Sequence, residues 1–330
     1  MTDYLLLNTL LSALMGGILW SLGDTPPRSR FWICLLALGC WLVPWSLIDL
    51  SLLIPQTVSA PALIWWEATE AATQSSVQAT ASGRIEPLTL FLLAGTLGLM
   101  VFLLRLVGQA MHLKKLAYRS FSGESLWAAT GVSRMPGVSV RIVPGLRNAF
   151  ISGYRKPIVW VGQELVSSDF LVGVLRHECT HIQQNDNYYR LLIGAIRHMF
   201  WWNPIVAFFG ARANEYIELS CDQRCQQLDQ RYQTHLATAL LERHTETATA
   251  ATLSPFFGKA GFNLKRVKQL DKRFAMTFRH KIIAGTGLML SAFIAISPRS
   301  ATQRSTKRKH SMNFRSPQRM TDRKGPIAQP

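Results

Sequence analysis

Long apolar runs, separated by polar and amphipathic stretches, set the organisation of this 330-residue chain. The most continuous are residues 4–20, 31–54, 87–108 and 282–297. At about 1.5 Å per helical residue, the second and third are long enough for a hydrocarbon core of about 30 Å. Asp49 lies near one end of the second, and Arg105 can snorkel from the end of the third. The first and fourth are short. The fourth needs flanking residues such as Phe274 and Met276, or a thinned bilayer, to cross. Residues 4–20 read as a retained span, because Asp3 stands where a leader carries basic residues and no small-residue cleavage site follows. The pattern predicts three spans within 1–108 with a polar external loop at 55–86, a folded domain over 109–281, a fourth span at 282–298 and a basic, disordered tail at 299–330. The class is α+β, a folded domain inside a multi-pass helical membrane protein.

Within the folded domain the period changes. Val138, Val140 and Ile142 alternate with polar neighbours and predict a strand. Ile158, Val159, Trp160 and Val161 predict a second, after a turn containing Gly153. Ser167, Ser168 and Asp169 then offer cap oxygens to a helix whose apolar face holds Phe170, Leu171, Val174 and Leu175. Residues 187–203 form an amphipathic aromatic stretch, expected under that helix or along a membrane surface. Pro204 suits a first helical turn, and the next helix runs on to Leu228.

The first of these helices carries His177-Glu178-Cys179-Thr180-His181. Histidines four apart share one face, so both rings can reach one tetrahedral zinc ion. Glu178 is placed to take a proton from water on that ion. A chance match to so short a motif in such a chain is on the order of one percent. On the second helix Glu215, Glu218 and Asp222 lie on one face, where three carboxylates repel each other unless a cation sits opposite. Glu218 is the expected third ligand and Asp222 the partner that orients a ligating histidine; Asp186 is a further orienting carboxylate or a plain loop acid. Glu215 reads as solvated. Tyr188, Tyr189 and His198 are unranked donors for an oxyanion.

His177-Glu178-x-x-His181, Asp186, Trp202-Asn203-Pro204 and Glu218-Leu219-Ser220-Cys221-Asp222 occur in an order that resembles the BlaR/MecR-type membrane zinc peptidases. The stretch Asn148 to Pro157 resembles their pre-helix hairpin, and Phe257-Gly258-Lys259 through Arg266 a later run. The resemblance covers roughly residues 85–298, with Cys179 in a slot where leucine is common and Ser220 where alanine is. It implies a gluzincin-like zinc metallopeptidase domain between the third and fourth spans, with one catalytic Zn2+. It also implies a protein substrate, a cytoplasmic transcriptional repressor, cut in signal transduction. An edge strand beside the active helix takes the substrate backbone in such enzymes, and Ile158–Val161 or Ala149–Ser152 is expected to serve. Self-cleavage is expected in the basic run Gly261 to Arg273, at Lys265-Arg266. No Ser-x-x-Lys motif occurs, so acylation by a beta-lactam at a sensor domain is not expected, and the cue would come from a partner protein, the membrane or the external loop.

Hydrophobic residues make up 48% and charged ones 17%, a balance that suits a membrane protein with a folded insert. Arg28 and Arg30 in the first loop, and Arg105, Lys114, Lys115 and Arg119 after the third span, place those segments and the zinc domain in the cytoplasm of a bacterial inner membrane. The net charge of +17 owes much to the tail, which contains no nucleic-acid motif, so direct nucleic-acid binding is not expected. Five cysteines without framework spacing argue against a disulfide fold; Cys221 and Cys225 read first as small buried hydrophobes. Two rival roles stand beside the signalling one. The first is a quality-control membrane zinc protease of the HtpX type, and the second an inactive zinc-binding scaffold acting through its basic tail.

Overall fold

A computed structural model describes residues 2–23, 25–43, 86–238, 240, 257–270, 272, 280, 282, 285–287 and 289. Most of the polar loop at 55–86, the second half of the run 31–54, most of the fourth run and the tail lie outside the described residues.

Three helices come first: α1 (Thr2–Ser21), α2 (Pro27–Cys40) and α3 (Pro87–Arg119). Two of them, α1 over Tyr4–Ser21 and α3, are long and apolar enough to cross a membrane. Only 6% of the apolar window of α3 is buried, and most of its leucines are exposed among the described residues, a surface that suits lipid. The helix runs past the expected end at 108 to Arg119, adding a polar extension that leads into the folded domain. α2 begins four residues before the expected 31, because Pro27 supplies a pre-set first-turn φ.

A small sheet follows. β1 (Phe121–Ser122), α4 (Ser125–Thr130), β2 (Ser139–Val143), β3 (Ala149–Ser152) and β4 (Ile158–Gly162) succeed one another in the chain. The strand order is β1-β2-β4-β3, with β2 parallel to β4 and β3 antiparallel to it. This corrects one expectation for the substrate strand. Ile158–Val161 is central, flanked on both sides, and its backbone groups are already engaged; β3 is the edge. The residues of β4 are almost all buried, whereas those of β3 are half-buried throughout.

A 3₁₀ turn (Gln163–Ser167) leads to α5 (Leu171–Gln183), then α6 (Asp186–Met199), α7 (Pro204–Leu228) and α8 (Phe257–Leu270). α5 starts later than the cap residues implied: Ser168 Oγ accepts from the Phe170 amide at 3.1 Å, and no side chain caps the helix proper. α7 has the expected bounds. Asn203 Oδ1 accepts from the amides of Ile205 and Val206 at 2.9 and 3.3 Å, and Pro204 needs no donor.

Two apolar clusters hold these parts. In one, Leu126, Trp127, Val138, Val140, Val159 and Val161 meet Leu171, Leu175 and Cys179, so the sheet grips one face of α5. In the other, residues of α1 and α2 such as Leu22, Phe31 and Leu38 pack with Ile193, Val206, Phe209 and Ile217 of α6 and α7. The stretch 187–203 therefore lies against the N-terminal helices and α7. α6 runs antiparallel to α3, with Met199 beside Gly95 and Gly194 beside Phe102. The contact is close: a Cβ on Gly98 would stand 1.8 Å from the His198 carbonyl oxygen. The α6–α7 turn thus reaches the middle of the apolar stretch of α3, where the Trp201 indole donates to Ala94 O at 3.4 Å.

Candidate metal centre

With Leu171, Leu175 and Cys179 of α5 turned to the sheet, helical geometry turns His177 and His181 the other way, toward α7, and leaves Glu178 between the two faces, where it lines the cleft. There Glu218 projects from the middle of α7. His177 Nε2 and His181 Nε2 are 3.1 Å apart; His177 Nε2 lies 3.5 Å from one Glu218 oxygen, and His181 Nε2 3.7 Å from the other. Ligands about 2.1 Å from a tetrahedral ion stand about 3.4 Å apart, so these donors match one face of such a shell.

The far side of each ring explains why the near sides converge. His181 Nδ1 lies 2.7 Å from Asp186 Oδ2, and Asp186 is fully buried. His177 Nδ1 lies 2.8 Å from the Tyr232 hydroxyl, which donates to Asp222 Oδ1 at 2.8 Å; Asp222 itself is 3.3 Å from His177 Nδ1. A hydroxyl that donates to Asp222 accepts from Nδ1–H. In the neutral rings both protons then sit on Nδ1, and both Nε2 lone pairs face one point, an arrangement that a cation relieves. The donor set fits a metal ion on this ground. Asp186 and Asp222 thus each lie at the far nitrogen of one histidine.

Charge surrounds the cluster. Burial pulls the His177 imidazole down, but bonds to Asp222, Cys225 and Glu218 outweigh it and hold it well above its ordinary value. Burial alone would raise Glu218, yet His177, His181 and Arg190 keep it well below the usual carboxylate range. Arg190 donates to one Glu218 oxygen, and Arg266 Nη2 lies 3.5 Å from the other. Asp222, also buried, is held at about 2 by Arg266, which grips both its oxygens at 2.7 and 2.8 Å. Among the described residues Glu178 carries no such partner. Burial lifts its carboxyl above the ordinary range, against the pull of the two histidines.

A cleft of about 320 Å³ opens over the cluster, lined by Glu178, His177, His181, Glu218 and by Phe150 and Ile151 of the edge strand. The sequence reading missed several of its residues. Tyr232, His235 and Arg266 line it from beyond α7, and Arg190 from α6. The His235 Nδ1 atom is buried with no hydrogen-bond partner among the described residues. Tyr188, Tyr189 and His198 do not line the cleft. The Tyr188 hydroxyl donates to Tyr154 O, Tyr189 packs on Phe31 and Trp32, and His198 sits 3.1 Å from Arg105 on α3. Glu215, read as solvated, is paired with Arg212 at 2.8 Å and Lys265 at 3.2 Å.

Two further corrections concern the thiols and the basic run. Cys221 and Cys225 are buried as expected, but Cys221 Sγ is 3.4 Å from His177 Nδ1, and the two thiols with His177 form a second trio of potential donors. Tyr232 and Asp222 already occupy that side of the ring, and the trio is away from the open cleft, so the set with His181 and Glu218 is favoured. The run from Gly261, expected to be flexible, is helical as far as Leu270, and Lys265 and Arg266 are docked on α7. A protease cuts extended backbone, so the Lys265-Arg266 bond is not presented for cleavage in this conformation.

Among curated proteins, none matches the chain. A family model described as BlaR1 peptidase M56 matches residues 31–277, well over half of the sequence and including every residue of the centre. The order of motifs along α5 and α7 and their meeting around one cleft agree with that match, and the chain belongs to the BlaR1 peptidase M56 family.

Proposed function

We propose that this protein is a membrane-embedded zinc endopeptidase that cuts a cytoplasmic regulatory protein, a transcriptional repressor, in signal transduction. The observation that carries the reading is the meeting of His177, His181 and Glu218 beside a buried, unpaired Glu178 in an open cleft. Two imidazoles and one carboxylate suit zinc with a free coordination position. When bound, the ion would supply Lewis acidity, polarising the scissile carbonyl and acidifying water. The remaining work falls to the chain. Glu178 accepts the proton of the attacking water and delivers it to the leaving amine. Its burial raises its proton affinity, which suits both halves of that task. His235, whose ring lines the cleft, is our choice for the group that steadies the oxyanion. β3 receives the substrate backbone as an added strand. Its outer edge is free, and Phe150 and Ile151 line the cleft.

The lysines and arginines in the polar extension of α3, Lys114, Lys115 and Arg119, support a cytoplasmic centre in a bacterial inner membrane. α6 rises about 20 Å from Asp186 to Met199, alongside α3. With Met199 level with Gly95, Asp186 comes level with the turns after Arg105, where the apolar stretch of α3 ends. On this reading the centre works at the membrane surface. The lipid bilayer is then one partner, and a separate sensor protein is a second that we propose. A quality-control protease would use the same centre on many substrates.

The test is a comparison of newly formed protein N-termini in cells expressing wild type or Glu178→Gln. One cytoplasmic regulator cut only with wild type supports the signalling reading and identifies the substrate. Differences across many membrane proteins favour the quality-control role. No differing termini under inducing conditions would leave the zinc-binding scaffold as the better account.

A further inference from the structure

We propose that Arg28, in the second position of α2, is a positioning residue for the metal ligand His181 and acts through Asp186. The inference rests on the metal-centre reading above. Asp186 is fully buried, and each of its oxygens has one task. Oδ2 accepts from His181 Nδ1 at 2.7 Å; Oδ1 accepts from Arg28 Nη1 at 2.8 Å. By holding Oδ1, Arg28 fixes which oxygen faces the ring and at what angle, and so fixes the direction of Nε2 on the opposite side. The other terminal nitrogen of Arg28 donates to Gln184 O at 3.0 Å. One guanidinium therefore clamps both flanks of Asn185, the left-handed residue (φ 57°) that turns α5 into α6. Its fork reaches both acceptors at once, which an ammonium cannot do.

The arginine is itself held. Its guanidinium carbon lies 4.7 Å from the ring centre of Phe31, 5.7 Å from Trp32 and 5.4 Å from Tyr189. Tyr189 is one turn beyond Asp186 on α6, so the box is built from α2 and α6 together. Phe31 also belongs to the cluster that joins α1 and α2 to α6 and α7. An error in the placement of the α1–α2 pair is thereby passed to Asp186 and then to His181. Without Arg28, Asp186 keeps the ring bond but loses the cation that offsets its burial and sets its rotation.

The test uses the full chain in detergent micelles, with Arg28→Gln, Arg28→Lys, Asp186→Asn and the Arg28→Gln/Asp186→Asn double variant. Zinc dissociation constants come from competition with a chromophoric chelator, and the cobalt-loaded forms give a visible spectrum that reports ligand geometry. We expect Arg28→Gln to weaken zinc binding about tenfold and to alter the cobalt bands. Arg28→Lys keeps the charge but not the bridge and should lose about threefold. Adding Arg28→Gln to Asp186→Asn should cost little more, since both act on one ring. A lowered thermal midpoint with wild-type zinc affinity and cobalt spectrum in Arg28→Gln or Arg28→Lys would make the contact merely structural and overturn the proposal, as would additive losses in the double variant. If wild type takes up no zinc at His177 and His181, the metal-centre reading fails first and takes this inference with it.

Discussion

Glu178 and the three donors should fail in different ways when replaced. Glu178→Gln keeps the side-chain volume in a buried position but removes the base, so hydrolysis should fall by about 10² to 10⁴ while one equivalent of metal stays bound. His181→Ala or Glu218→Gln should lose the metal itself, measured by elemental analysis after dialysis, and a chelator should mimic them in wild type. A Glu178→Gln protein without metal would mean that Glu178 is a ligand and the assignment is wrong. His235→Gln is a third kind. It touches no donor, so metal content should hold while kcat drops by about 10² to 10³; a change confined to KM would make it a substrate-binding residue instead. The sequence made the donors legible because helical period alone puts His177 with His181 and Glu218 with Asp222. It could not show Tyr232 on His177, Arg190 on Glu218, Arg266 on Asp222 or Arg28 on Asp186, each of which depends on how separate segments meet. The unpaired Nδ1 of His235 is of the same kind: a lone histidine past α7 has no spacing that marks it.

At the scale of elements, α7 was legible to the residue because Asn203 and Pro204 encode its start, and β2 and β4 were legible from their apolar pattern. Which of the two candidate strands is the edge was left open, although a signal existed. Ile158-Val159-Trp160-Val161 is continuously apolar, as a strand covered on both faces tends to be, while Ala149–Ser152 mixes types. The two-residue β1 was too short to predict. Substrate capture by β3 makes a backbone prediction. Asn148 O accepts from Gly162 N at 3.0 Å, so alternation turns the amides of Phe150 and Ser152 toward β4 and those of Ala149 and Ile151 toward the open edge. Ala149→Pro removes an outward donor and costs no ladder bond. It should lower kcat/KM on a peptide substrate about fivefold, the worth of about one hydrogen bond, with metal content and thermal midpoint near wild type. Unchanged kinetics would send the substrate elsewhere in the cleft.

For the whole molecule, the apolar runs separated membrane from domain more sharply than the fold does. Hydropathy puts a boundary at 108, but the turn between α6 and α7, ninety-odd residues later in the chain, inserts beside α3 at Ala94 to Gly98. Its aromatic residues read in sequence as an amphipathic helix, under the active helix or along a membrane surface, because Arg190, Arg197 and His198 interrupt them. In the structure Arg190 belongs to the second turn of α6 and Arg197 and His198 to its last, and the tip beyond is Phe200-Trp201-Trp202. Phe200 and Trp202 pack on Phe91 of α3, and Trp201 is 60% exposed. If α3 spans the bilayer, that exposed indole meets lipid, and the peptidase is anchored by its own ligand-bearing hairpin as well as by its spans. A lysine there distinguishes lipid from water. In hydrocarbon Trp201→Lys should cost about 2.5 to 3.5 kcal/mol, whereas an exposed site in water tolerates such a change within about 0.5 kcal/mol. Leu228→Lys, at the far end of α7 and 58% exposed, is the matched control. Membrane-fraction yield and survival of a heat step in mild detergent should fall sharply for Trp201→Lys and stay near wild type for Leu228→Lys. Equal behaviour of the two would put the hairpin tip in water and detach the level of the metal centre from that of the membrane surface.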